Sequence, residues 1–153
     1  MSTLLIRTYG DPVLGAVTTK VEDIDAKIAA LAYSMIETMN EAPGVGLAAN
    51  QIGVQKRLFV YDKGDGPVVV VNPVIVESQG EWTYEEGCLS VPGMSWEITR
   101  ANAIHLTGFD LDGVLLIERL DAVQRREAKK LLRAQRVQLS ANDPDGLQRL
   151  LGE

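Results

Sequence analysis

The chain has 153 residues, of which 46% are hydrophobic, with 21 acidic against 15 basic side chains. That length predicts one domain able to bury most of its surface, and that hydrophobic content excludes general disorder. The net charge of −6 argues against nucleic acid read directly, and against an anionic membrane, as the main partner.

The first predicted element is extended chain over 11–22, opened by the turn formers Asp11-Pro12. A helix is expected from Ile24 to Asn40, because Ile24, Ile28, Leu31, Met35 and Met39 form one stripe at spacings of four and three. Asp23 is its expected N-cap and Glu41-Ala42-Pro43-Gly44 its stop. The pattern then turns to β. Leu58–Asp62 reads as a strand, Lys63-Gly64-Asp65-Gly66 as a tight turn, and Pro67–Val71 as the return. Val74–Glu77 continues extended after Asn72-Pro73, while 81–96, rich in Gly, Pro, Glu and Trp, predicts irregular structure. Ile98–Phe109 reads as one strand ending at Asp110-Leu111-Asp112-Gly113, and Val114–Ile117 as a short strand. A last helix is expected from Asp121 to Leu139, with Leu120, Val123, Leu131 and Ala134 on one side. Residues 1–139 would form the domain and 140–153 a tail. The whole is an α+β pattern, with a helix at each end of a β-rich middle.

Cys88 is the only cysteine, which rules out an internal disulfide and fits a reducing compartment. The start, Met1 to Arg7, has no long apolar run after a basic head, and no stretch reaches the length of a membrane span. A soluble, cytoplasmic domain is the expectation.

Two motifs carry chemistry. Gly44-Val45-Gly46-Leu47-Ala48-Ala49-Asn50-Gln51 combines small residues, which permit close backbone approach, with an uncharged amide. Gln51 can donate a hydrogen bond to a developing oxyanion. Glu86-Gly87-Cys88-Leu89-Ser90 sets a thiol behind a glycine that permits unusual backbone geometry. Either motif alone fits a turn or a buried small residue.

Together, in this order and separation, they resemble two of the three signature boxes of the peptide deformylases. Tyr9-Gly10-Asp11-Pro12-Val13-Leu14, Val71-Asn72-Pro73 and the run Gly113 to Asp121 are similar to that family's flanks. The resemblance implies that Cys88 is a metal ligand, and that Gln51 and the Leu89 backbone N–H are oxyanion donors. It makes Val45, Gly46, Glu86 and Gly87 the positions that pair with an extended peptide and shape its first pocket. It further implies a divalent metal (Fe2+ natively, Zn2+ or Ni2+ when substituted) that activates water to hydrolyse the formyl group of formyl-methionyl peptides. The ribosome exit region is the implied place of work.

The third box, H-E-x-x-H, is absent, and His105 is the only histidine. That box would supply two imidazoles at i and i+4 and a general base, whereas a catalytic site of the zinc type needs three protein ligands and an open position. His105, between Ile104 and Leu106, reads as an ordinary strand histidine. A makeshift set of Cys88, His105 and Asp110 or Asp112 is the remaining metal option, and a metal-free chain is the other. In the family, a hairpin return and the metal helix separate the Asp-x-x-Gly turn from the closing apolar run. Here the two meet at Gly113, as a deletion between Leu-Asp-Gly repeats would produce. A natural deletion, an engineered change and an omitted segment all fit the sequence. The vacated groove predicts a cover, either the last helix or the partner of a homodimer.

Overall fold

Residues 3–121 are described by a computed structural model. Asp11 and Pro12 set the first local structure. The Asp11 carboxylate accepts the Val13 N–H at 3.0 Å, and Pro12 has the φ a first helical residue needs. The result is a short 3-10 helix over Pro12–Gly15, within a segment the sequence predicts as extended.

Helix α1 spans Ala26–Glu41. Asp25, not Asp23, caps it, accepting the N–H groups of Lys27 and Ile28 at 3.0 Å each. Its start therefore shifts from the expected Ile24. The apolar stripe buries Ala32, Met35 and Met39. Thr38 on the same face donates to Ser34 O and accepts from Leu4 N at 2.8 Å, tying down the N-terminal segment.

The first motif forms β1 (Gly46–Ala48) and then a 3-10 helix over Ala49–Ile52. Strand β2 (Leu58–Asp62) turns back into β3 (Pro67–Gln79) through a loop in which the Asp62 carboxylate accepts from Gly64 and Gly66. β3 runs through Asn72-Pro73 with its register shifted there. The hairpin β4 (Trp82–Cys88) and β5 (Val91–Arg100) follows, then β6 (Ala103–Phe109) and β7 (Leu115–Asp121). One antiparallel sheet has the order β1-β2-β3-β6-β7, and β4-β5 forms a second sheet of two strands.

Strand alternation creates the two apolar layers. Leu58, Val60 and Val71 meet Met35, Met39 and Leu47 beneath α1. Phe59, Tyr61, Val70 and Leu106 cluster separately, with the Phe59 and Tyr61 rings stacked at 5.8 Å. Burial pushes the Tyr61 hydroxyl above its ordinary range, and the Glu118 carboxylate adds to that shift.

Further expectations change in the β region. The predicted irregular stretch 81–96 belongs to the hairpin, because Leu89-Ser90 supplies a tight turn and residues from Trp82 to Gly87 pair in register with β5. The single strand expected over Ile98–Phe109 is two strands: Ile98 pairs with Tyr84, whereas Leu106 pairs with Ile75. The short strand expected over Val114–Ile117 becomes β7, whose ladder with β6 continues to Asp121↔Ala103. That places Leu120 and Asp121 in a strand instead of a last helix. The remainder of that expected helix, to Leu139, and the tail 140–153 lie outside the described residues. No helix among the described residues is long and apolar enough to cross a membrane.

Candidate functional site

Gln51 sits in the 3-10 helix after β1, 1% exposed. Its backbone oxygen accepts from Arg7 N at 2.6 Å, and its side-chain Oε1 accepts from Ala48 N at 2.9 Å. These bonds hold the amide so that Nε2 reaches the second motif, 3.1 Å from Ser90 Oγ and 3.9 Å from Cys88 Sγ. Cys88 is 5% exposed and ends β4. The two sequence motifs, 37 residues apart at this contact, therefore meet at one point.

Leu89 closes the other side of the junction. A Cβ on Gly44 would lie 2.6 Å from Leu89 Cδ1, so the glycine that opens the first motif permits the second to pack on it. Tyr9 N donates to Ser90 O at 2.8 Å, which adds the N-terminal segment to the same junction. Val45 and Gly46 are buried beside it, with Gly46 opposite Tyr61 in the β1–β2 ladder.

Glu86 lies one turn of the pleat before Cys88, 2% exposed, with Arg100 Nε at 3.6 Å from its carboxylate. Burying a carboxylate is costly unless a partner accompanies it. Gly87 faces Ser95 across the hairpin. β1 pairs only with β2, and β4 only with β5, so among the described strands each leaves one edge without a ladder. The expected peptide-pairing residues are thus split between two strand edges that converge on the Gln51–Cys88 junction.

Ser90 and Arg100 are site residues that the sequence reading assigned no role. Ser90 was already in the second motif and its spacing could have raised it, whereas nothing in the sequence linked Arg100 to Glu86. Asn50 was also missed. It is fully buried, and neither polar atom of its side chain has a hydrogen-bond partner among the described residues.

Among the described residues, the donors do not fit a catalytic metal. Three protein ligands are required, and the junction offers the Cys88 thiol. His105 stands in β6, with Nδ1 2.9 Å from Glu77 Oε2 of β3. The Asp110 carboxylate instead accepts the backbone N–H groups of Asp112 and Val114 in its own turn. The makeshift set is not assembled, and no group of three or more His, Cys, Asp and Glu residues suited to a metal occurs among the described residues.

Comparison with known proteins agrees with the two motifs. The family model described as Polypeptide deformylase matches residues 3–126. A peptide deformylase of Agathobacter rectalis is 53% identical over 104 residues, 68% of this chain and 66% of that protein. The chain thus spans just under two thirds of that relative's length. A peptide deformylase of Acidothermus cellulolyticus is 42% identical, with 84% of each chain covered. Among solved structures, the peptide deformylase of Thermotoga maritima superposes with a TM-score of 0.78 at 39% identity, covering 83% of this chain and 87% of that one. The peptide deformylase of Ehrlichia chaffeensis in complex with actinonin gives 0.81 at 32%, covering 100% and 86%.

Proposed function

This chain belongs to the polypeptide deformylase family, and from that membership we propose that it binds extended, formyl-methionyl peptides without hydrolysing them. The observation that carries the reading is the intact junction beside an incomplete donor set. Gln51, Cys88 and Ser90 touch, while the only histidine of the chain is engaged with Glu77.

A peptide backbone has N–H and C=O groups that must find partners when it is taken from water. The edges of β1 at Gly46, next to Val45, and of β4 at Glu86-Gly87 would offer complementary groups, as in strand addition generally. The Gln51 amide and the Leu89 N–H would then receive the formyl oxygen as neutral donors. Hydrolysis needs, besides these, an activated water and a base, and the chain supplies no H-E-x-x-H helix for either.

The family's own activity, metal-dependent release of formate, is the second reading, favoured by the approach of Gln51 Nε2 to Cys88 Sγ. Iron is the metal the family implies, with zinc or nickel as substitutes. One experiment separates the two. A formyl-methionyl tripeptide is titrated by calorimetry, and formate release is then assayed with iron, nickel or zinc supplied and metal bound per chain measured. Saturable binding with formate at the level of a protein-free blank is expected. Formate release that disappears in Cys88→Ala, with one metal per chain, would establish the enzyme reading. Absence of any peptide binding would refute both.

A further inference from the structure

We propose that the outer edge of β7 pairs with the same edge of a second copy, about a two-fold axis at Leu116, so that two large sheets join into one. Among the described strands β7 pairs only with β6. The turn that opens β7 fixes which of its groups face outward. Asp110 N donates to Val114 O at 2.9 Å and Gly113 N to Asp110 O at 3.1 Å, so Asp110 and Val114 are a hydrogen-bonded pair. Such pairs alternate along an antiparallel ladder. With Phe109↔Leu115, Gly108↔Leu116 and Thr107↔Ile117 in register, Leu116 and Glu118 bond to β6. Leu115, Ile117 and Arg119 therefore turn their N–H and C=O groups to the outer edge.

The strand carries little that blunts this edge. Residues 115–121 contain no Pro, Gly or Lys. The β6–β7 register runs without a shift, unlike those of β3–β6 and β4–β5. Prolines, lysines and bulges are the usual protections of an edge strand. The opposite edge of the same sheet, β1, is only three residues long. At the outward-bonding positions the side chains of Leu115 and Ile117 are 56% and 73% exposed. Neither belongs to a hydrophobic cluster of the described residues.

Self-complementarity selects the occupant. An axis at Leu116 sets Leu115 opposite Ile117 of the second copy, and Ile117 opposite its Leu115. Their outward N–H and C=O groups then form hydrogen-bonded pairs, and the apolar side chains meet across the axis. Arg119 comes opposite Gly113 of the second copy, next to Asp112 in the sequence, which places opposite charges together at both ends. An axis at Ile117 would instead set Leu115 against Arg119, and one at Glu118 would set that carboxylate against itself, which is unfavourable. The contact uses one patch on both copies, so it closes at two. It involves neither Gln51 nor Cys88 and is independent of what the site binds.

Sedimentation velocity of the full chain over about a hundredfold range of concentration should show a monomer passing to a dimer. Ile117→Lys, with circular dichroism unchanged, should weaken dimerisation at least tenfold. Val17→Lys, at an exposed apolar residue outside the strands, should dimerise as the parent chain does. Cysteine substitution reads the axis. Directly opposite residues of a non-hydrogen-bonded pair have Cα atoms about 4.5 Å apart, within the range a disulfide accepts. Mild oxidation of Leu116→Cys should therefore link position 116 of one copy to position 116 of the other, as mapped by mass spectrometry. A monomer at every concentration, undiminished dimerisation of Ile117→Lys, or a link in Glu118→Cys with none in Leu116→Cys would overturn the proposal.

Discussion

Gln51 Nε2 donates to Ser90 Oγ at 3.1 Å, both groups buried, while Gln51 Oε1 takes the N–H of Ala48. One amide thereby satisfies the strand before it and the hairpin tip beyond it. Gln51→Ala leaves the Ala48 N–H without this acceptor, and an unmet buried donor costs about 1–3 kcal/mol before any cavity cost. The expected total is about 3 kcal/mol, read as a lowered denaturant midpoint at constant m-value. Ser90→Ala, which leaves Oε1 engaged, should cost about 1 kcal/mol. Equal losses in the two variants would contradict this division of labour.

Glycine positions should differ in a graded way. Gly44→Ala meets the flexible end of Leu89 at 2.6 Å, whereas Gly108→Ala meets Val70 Cγ1 at 2.5 Å and the Val71 backbone oxygen at 3.0 Å. Overpacking costs about 1–3 kcal/mol, and the backbone contact should put Gly108→Ala at the upper end. Gly15→Ala meets nothing within 4 Å and serves as control. Combining Gly44→Ala with Leu89→Ala should recover part of the loss in a double-mutant cycle. A coupling energy near zero would show that the two residues do not share the strain.

Asn72 is the only non-glycine residue at positive φ (52°) among the described residues. Its side chain also exchanges two 2.8 Å bonds with the backbone of Val21. Asn72→Ala should cost about 2–4 kcal/mol, from the lost pair of bonds plus the left-handed conformation. Asn72→Gly loses the bonds but relieves the strain, and should unfold at higher denaturant than the alanine variant. The reverse order would remove backbone conformation from the explanation.

Glu77 carries the pH prediction. The hydrogen bond from Gln79, and then that from His105, hold its carboxyl below the ordinary 4.5. With the folded pKa lowered, the contribution to stability is complete above the unfolded value and fades as pH falls through the folded one. The carboxyl is exposed, so the effect is small and best read by NMR titration. Gln79→Ala and His105→Ala should each raise the Glu77 midpoint. An unchanged midpoint in both variants would contradict the assignment.

Much of this arrangement was legible in the sequence because local and long-range signals coincided. Two motifs of a known family, each rich in small residues, had to approach one another, and Gln51 and Cys88 do. The stripe Ile28, Leu31, Met35 and Met39 placed α1 correctly to within two residues. Its start was missed because Asp23 and Asp25 are equally good caps by composition, and only the fold selects between them. The β4–β5 hairpin was hidden for a different reason. Pro92, Gly93 and Met94 form an irregularity in β5, and such residues read as loop where the partner strand is not known. Leu120 and Asp121 joined β7 because ladder bonds to β6 outweighed a short apolar run's ambiguous period. The Glu86–Arg100 pair depends wholly on hairpin register, which composition does not encode.

The placement of the hairpin between β3 and β6 bears on the order in which the chain assembles. β3 and β6 are neighbours in the sheet although residues 80–102 intervene. That excursion is itself a local hairpin, and its ends are drawn together where Trp82 pairs with Arg100 and Asn102 N reaches Gly80 O. Once β4 and β5 have paired, the effective loop between β3 and β6 shrinks to a few residues. By the logarithmic law for loop closure, this lowers the entropic cost of their pairing by about 1.5 kcal/mol. The one long-range step in the large sheet becomes a nearly local one, and the hairpin that carries Cys88 doubles as the zipper that lets the sheet close.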